Sequence, residues 1–365
     1  MNVLYLIHHA GQGGTERYVH TLAQRYKQSG RAVPFFVFTE EGVLARRMRD
    51  LGAVTVQMPL SSRYSLGAAR RLAAFCKQHD IDVIHTQFLR ENYIALLSKS
   101  FYPKPRVIYT NHLILANNLI TRVSNAAMSR RQDAVIAVCN PGKAQMIKNR
   151  IPERLITVIH NGVDPAEWQS GGGAAVRKEA NVPDGVPAIL YAARFVPGKG
   201  HDFLLKALSL VANDHPFHLL LAGEGELRGD IQTLSENLGL AERVTFLGFR
   251  EDMPAVLAAA DLGVNSAGTE ACSFNILEAM AAGLPQAVAD AGGNGDLISG
   301  ENGLLFEYGD ADSMAYALSR LLGDAELRMR CAQRAREDVD GPFNINTMLD
   351  RTYKIYMGEM QNGNK

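Results

Sequence analysis

NVLYLIHHAGQGGTERYVHTLAQRY (residues 2–26) and AILYAARFVPGKGHDFLLKALSLVA (residues 188–212) follow one plan: an apolar strand-like run, a glycine-containing loop, then apolar residues at helical spacing. After each opening the alternation continues. The first half holds VPFFVFT, VTVQM, DVIHTQ, RVIYTNH, AVIAVCN and ITVIHNG; the second holds HLLLAGEG, VTFLGF, LGVNSA, PQAVAD and GLLFEYG, with stretches such as EGVLARRMRDLG and MPAVLAAAD between them. Strands apolar almost throughout, alternating with helices, predict parallel sheets covered on both faces. The fold class is therefore α/β and doubly wound, twice over.

A chain of 365 residues with 47% hydrophobic content can build two cores. The stretch DPAEWQSGGGAAVRKEANVPDGVP mixes a glycine triplet, charges and prolines and reads as the connector. It places the domains at residues 1–165 and 166–342, with a closing helical stretch over 343–360 after the break at Gly341 and Pro342. The four cysteines are scattered, which argues against a disulfide framework or zinc knuckle and fits a reducing compartment. The N-terminus lacks a basic leader, and no run reaches the roughly 18 apolar residues of a membrane span, so a cytoplasmic, non-spanning protein is expected.

The net charge of zero conceals an asymmetry: residues 1–165 carry 22 Lys and Arg against 10 Asp and Glu, while the remainder carries 16 against 28. A basic half suits anionic lipid headgroups, and equally a solvated face opposite an acidic partner domain. Nucleic acid is not expected, because no aromatic-basic interleaving accompanies the charge.

Ligands of open parallel sheets collect at the carboxyl ends of strands, where helix N-termini present unpaired amides. In the first half that loop is Gly11, Gln12, Gly13 and Gly14, with Thr15 placed to cap the next helix; it suits a phosphate or simply a tight turn, and matches neither a Walker loop nor a full dinucleotide fingerprint. In the second half Arg194 and Lys199 flank a turn, an arrangement of like charges that suits a diphosphate between them, or two solvated side chains. Farther on, GTEACSFNILEAMAAG sets Glu270 in a loop after a strand and Glu278 on the second turn of a helix over residues 274–282, with Ser273 as N-cap and the amides of Phe274, Asn275 and Ile276 facing the ligand edge; a helix-start glutamate and a solvent-face glutamate explain the pair equally well. The Asp-x-Asp spacing in GDADS is read as a helix cap through Asp312, with no catalytic metal.

These residues resemble the retaining glycosyltransferases of family four, with the GT-B fold: two Rossmann-like doubly wound domains facing a cleft. The likeness rests on GGTERYV, YTNH, HNGVD, ARFVPGKG and, above all, the Glu-x7-Glu pattern of EACSFNILEAMAAGLP. It implies that Glu270 contacts donor-sugar hydroxyls and Glu278 the nucleotide ribose, that Arg194 and Lys199 clamp the diphosphate, and that His112 stands near sugar and acceptor. Gly13 and Gly14 then lie by the diphosphate, and Phe249 and Arg250 by the nucleobase. Departures from the family pattern are Ala271–Phe274 in place of Gly-Phe-Gly, Gln286 after GLP, and Asp296 where a glutamate is common.

The implied reaction moves a sugar from a nucleotide-sugar to a glycan, lipid-linked or lipopolysaccharide-type acceptor. UDP-hexose or UDP-N-acetylhexosamine comes first among donors, with GDP-mannose second. The first domain would bind acceptor and the second donor, without cofactor or metal. The competing readings are an epimerase or phosphorylase of related fold and a silent nucleotide-sugar-binding partner. The basic first domain adds an anionic membrane surface, and so a peripheral location at its inner face.

Overall fold

A computed structural model describes residues 1–11, 13–60, 62–169 and 171–359, so Gln12 of the first loop and Met360 of the expected closing helix lie outside the described residues. Among the described residues thirteen strands form, each within a stretch that the sequence marks as apolar and β-rich. Seven make the first sheet: β1 (Asn2–His9), β2 (Val33–Glu40), β3 (Val54–Gln57), β4 (Val83–Thr86), β5 (Arg106–Asn111), β6 (Ala134–Ala137) and β7 (Ile156–Val158). Six make the second: β8 (Ala188–Ala192), β9 (His218–Ala222), β10 (Val244–Gly248), β11 (Leu262–Asn265), β12 (Gln286–Asp290) and β13 (Leu304–Glu307).

All pairings are parallel, in the orders β3-β2-β1-β4-β5-β6-β7 and β10-β9-β8-β11-β12-β13. In each sheet the opening strand stands third, and the chain winds outward from it first on one side and then on the other. The order reverses beside β1 in the first sheet and beside β8 in the second. The central strands β1 and β8 are buried over nearly their whole length, as strands covered on both faces are. Along β8 and β9 the side chains of Ile189, Tyr191, Leu219 and Leu221 enter one core cluster, while Ala188, Leu190, Leu220 and Ala222 enter another.

The chain divides into residues 1–161 with 349–365, and residues 162–348. The closing helix, Ile345–Met357, thus belongs to the first unit over its latter part. Tyr26 Oη donates to the Leu349 carbonyl at 2.7 Å, Arg31 pairs with Asp350, and Tyr356 Oη meets Nδ1 of buried His85 at 2.6 Å. The second unit begins and ends side by side, at a parallel bridge between Val163 and Asn344.

Three expected caps differ. The first helix starts at Gly14 with Gly13 at its N-cap, so Thr15 lies inside the first turn, where its side chain cannot cap. Asp310, rather than Asp312, caps the helix Ala311–Gly323 by accepting from the amides of Asp312 and Ser313. Ser273 does occupy the N-cap position of the helix Phe274–Ala282, but its side chain does not cap; its hydroxyl lies 3.4 Å from Asn265 Nδ2.

Candidate functional site

The reversal between β8 and β11 opens at the carboxyl ends of both strands, and the second unit places most of the expected donor residues there. Beyond β8 the loop turns Phe195 into the core, leaving Arg194 outside, exposed and with no side-chain hydrogen bond or ion pair among the described residues. The loop then passes through two left-handed glycines, Gly198 (φ 86°) and Gly200 (φ 71°). A side chain at Gly200 would both strain the backbone and strike the Ser266 carbonyl.

Lys199 between them is fixed through its own backbone. Its carbonyl accepts from Tyr191 Oη at 2.6 Å and from Ser266 Oγ at 2.9 Å, and a further bond joins Gly268 N to the Gly198 carbonyl at 2.9 Å. The loops after β8 and β11 are stitched into one rim. Across that rim Lys199 Nζ donates to Glu270 Oε1 at 2.5 Å, with the two side chains 24% and 21% exposed.

The arrangement changes how the cations are understood. Read from the sequence, Arg194 and Lys199 called for an anionic ligand between them; in the structure the counter-charge of Lys199 is Glu270, and only Arg194 stands without one. Glu270 is itself anchored from the other side, its carbonyl accepting from Gly293 N at 2.8 Å in the loop after β12.

The helix Phe274–Ala282 begins four residues later, and Asn275 Nδ2 donates to the Ala192 carbonyl at the end of β8 at 2.5 Å, which ties the helix start to the Lys199 loop. Glu278 on the next turn is buried, as is Ile276, whereas Phe274 is partly exposed. Gln286, the polar residue where an apolar one was expected, is buried and donates to the Ile276 carbonyl at 3.0 Å, bracing the helix from β12. Lys199, Glu270 and the amino end of this helix therefore converge on one edge, with Arg194 on the same loop. Positive charge, a carboxylate and a helix N-terminus at one strand edge suit a ligand that carries both phosphate and hydroxyl groups.

Phe249 and Arg250 fall elsewhere. They follow β10, the edge strand, which is separated from β8 by β9. Phe249 is exposed, but the Arg250 guanidinium is already engaged: both Nε and Nη2 reach Asp252 at 2.7 Å and Nη1 reaches Glu179 at 2.6 Å. Those carboxylates, Asp252 foremost, hold its pKa above the ordinary arginine value. Asp310 is likewise committed to its cap, and among the described residues no group of three or more His, Cys, Asp or Glu is placed to hold a metal.

In the first unit, His112 sits just past β5, partly buried, with its ring edge-on to Tyr18 at 5.0 Å and its Nε2–H donating to Gln87 Oε1 at 2.8 Å. Burial drives its pKa down to about 3, so the ring is neutral. With Nε2 protonated, Nδ1 carries the lone pair. Gln87 follows β4, beside the reversal of the first sheet, and its Nε2 is buried without a partner. Gly13, extended at φ −172°, and Gly14 open the helix that follows β1, the helix that carries Tyr18.

Sequence reasoning missed Gln87, Tyr191 and Ser266. The first was visible as the residue just beyond DVIHT; the others act through a backbone carbonyl and left no side-chain pattern to find.

Two doubly wound parallel sheets, the second with an ion pair and a helix start at its point of reversal, define the GT-B class. Residues 174–338 match the family described as Glycosyl transferases group 1 and residues 12–167 that described as Glycosyltransferase Family 4; the chain belongs to the family-four glycosyltransferases. It is 33% identical over 218 residues to the lipopolysaccharide core biosynthesis glycosyltransferase LpsE of Rhizobium meliloti (strain 1021), a match spanning 58% of this chain and 61% of that one. In fold it is similar to a glycosyltransferase from Rickettsia africae ESF-5, with a TM-score of 0.89, 22% identity and 99% of each chain covered. It is similar also to Anabaena HepE in complex with UDP, with a TM-score of 0.84, 22% identity, and 97% of this chain and 99% of that one covered.

Proposed function

We propose that this protein is a metal-independent retaining glycosyltransferase. Its donor is a nucleotide-sugar: a UDP-hexose or UDP-N-acetylhexosamine first, GDP-mannose second. Its acceptor is a glycan, lipid-linked or lipopolysaccharide-type molecule. The observation that carries this reading is the convergence of Lys199, Glu270 and the amino end of the helix Phe274–Ala282 at the reversal of the second sheet, with Arg194 on the same loop. The UDP-bound relative of similar fold and the lipopolysaccharide assignment of LpsE support the choice of donor and acceptor.

In this mechanism the donor's diphosphate draws Lys199 away from Glu270 and lies by Arg194 and the helix amides. Glu270 is then free to accept from sugar hydroxyls, and Glu278 serves the ribose. The acceptor hydroxyl attacks the anomeric carbon on the face from which phosphate departs. The carbon–oxygen bond to phosphate breaks, and the leaving phosphate oxygen takes the hydroxyl proton, giving the glycoside and a nucleoside diphosphate. Lys199 and Arg194 stabilise the charge that grows on that oxygen, so no metal and no separate base is needed. Neutral His112 belongs to the acceptor unit as a hydrogen-bonding group. The excess of cations in residues 1–165 supports a cytoplasmic location at the inner face of an anionic membrane.

Thermal unfolding with UDP-glucose, UDP-N-acetylglucosamine and GDP-mannose, each with and without a metal chelator, tests the donor site. A ligand at 100 times its dissociation constant should add roughly 2.7 kcal/mol of stability. A shift by one donor that survives chelation supports the reading, and no shift with any of them sinks it. Product analysis separates the alternatives, since a sugar epimerised without transfer identifies an isomerase.

A further inference from the structure

The helix Leu119–Met128 is attached to the first unit by its polar side. Thr121 and Asn125 point inward, where Thr121 Oγ1 accepts from Arg63 Nη1 at 3.2 Å, and Asn125 accepts from Tyr93 Oη at 2.6 Å and donates to the Asn149 carbonyl at 2.8 Å. The outward side holds Leu119 (65% exposed), Ile120 (74%) and Val123 (51%), continued by the exposed Ala126 and Ala127. A surface helix of a globular protein has the opposite polarity. Leu113 and Leu115, also exposed, extend the apolar area ahead of the helix.

Around this face the charge has one sign. Residues 59–78 and 112–132 contain seven Lys and Arg and no Asp or Glu. The two segments meet in space, for Tyr64 Oη bonds Ser124 Oγ at 2.8 Å and Arg63 reaches Thr121. Arg130 and Arg131 are exposed just past the end of the helix. At its start Arg63 and Arg90 line a hollow of about 610 Å³ with Asn117, Asn118 and Thr121, and no carboxylate is among its lining residues.

We propose that the helix Leu119–Met128 is an interfacial membrane anchor. Its outward face lies at the headgroup–acyl boundary of an anionic phospholipid bilayer, with lipid phosphates held by Arg63 and Arg90 at one end and by Arg130 and Arg131 at the other. The inference rests on the membrane location proposed above and narrows it to one surface. Apolar side chains flanked by arginines fit an interface that is greasy below and negative at the rim. A second copy of the chain fits poorly, because a two-fold contact through this face would set the same arginines against one another.

Flotation of the full chain with vesicles of phosphatidylcholine, alone or mixed with phosphatidylglycerol, tests the anchor. The wild type should bind the mixed vesicles and lose that binding as salt is raised. Leu119→Ser, Ile120→Ser and Val123→Ser combined should weaken binding by at least about tenfold, given the transfer free energy of three such side chains. Arg63→Gln with Arg90→Gln should reduce the preference for phosphatidylglycerol. Both variants should keep the donor-induced thermal shift, which shows that they fold. The proposal fails if wild type ignores the mixed vesicles, if the serine variant binds them as wild type does, or if sedimentation shows a dimer that the serine changes dissolve while vesicles are left unbound. Intact vesicle binding without any donor-induced shift would overturn the donor site and leave the anchor standing.

Discussion

The two units share a winding order yet hold opposite chemistry where that order reverses. Beside β8 the second unit sets an ion pair, Lys199 with Glu270, and an unpaired Arg194; near β1 the first unit sets a neutral imidazole, His112, against the Gln87 amide. Topology supplies the same strand-end edge twice, and the loop residues decide what it recognises. Charges suit a phosphate-bearing partner, whereas a neutral ring and an amide suit hydroxyls, which neither carry charge nor tolerate the desolvation of one.

The sharpest way to break this contrast is to remove charge from the second edge. Lys199→Ala and Arg194→Ala should each lower kcat by about 10²–10³, equivalent to roughly 2.7–4 kcal/mol of barrier, in a sugar-transfer assay. Near-wild-type turnover in both would show that neither acts on the leaving phosphate. In the first unit the effects should appear in stability. His85 is fully buried between Tyr356 and Thr110, and burial drives its pKa down to about 3.

Such a ring takes a proton near its ordinary 6.5 only when the chain is unfolded, so the unfolded state gains protons as the solution is acidified and the folded state does not. Stability should fall by about 2 kcal/mol between roughly pH 7 and pH 5 on account of this one residue, measured by denaturant unfolding. A flat stability profile across that window would place the ring in a more polar setting. The smallest change is Tyr356→Phe, which removes the bond to His85 Nδ1 and should cost about 1 kcal/mol in the same assay while leaving donor binding unchanged.

The thirteen strands of the described residues were legible, because strands covered on both faces are mostly apolar and recur between helical stretches. The ends of helices were harder to read. At Gly14 the helix starts before the hydroxyl that was expected to cap it, and at Asp310 the capping side chain stands two residues before the one chosen. In the candidate site, Lys199 and Glu270 were each marked by local pattern, but their pairing across 71 positions was not, since nothing in a linear string announces which side chains meet. Arg250 shows the same limit. Its motif marked the residue, but its bond to Glu179, 71 residues away, was not legible. Where a role passes through a backbone carbonyl, as with Tyr191 and Ser266, the sequence carries no sign of it.

The return of residues 349–357 to the first unit also orders events on the ribosome. Residues 1–161 emerge before their partners: Tyr26 and His85 wait for residues 349–357, and the intervening 162–348 can close on itself before these arrive. The unit begun before the other is thus completed after it. A premature stop between residues 162 and 348 would release a fragment whose aromatic interior lacks its lid.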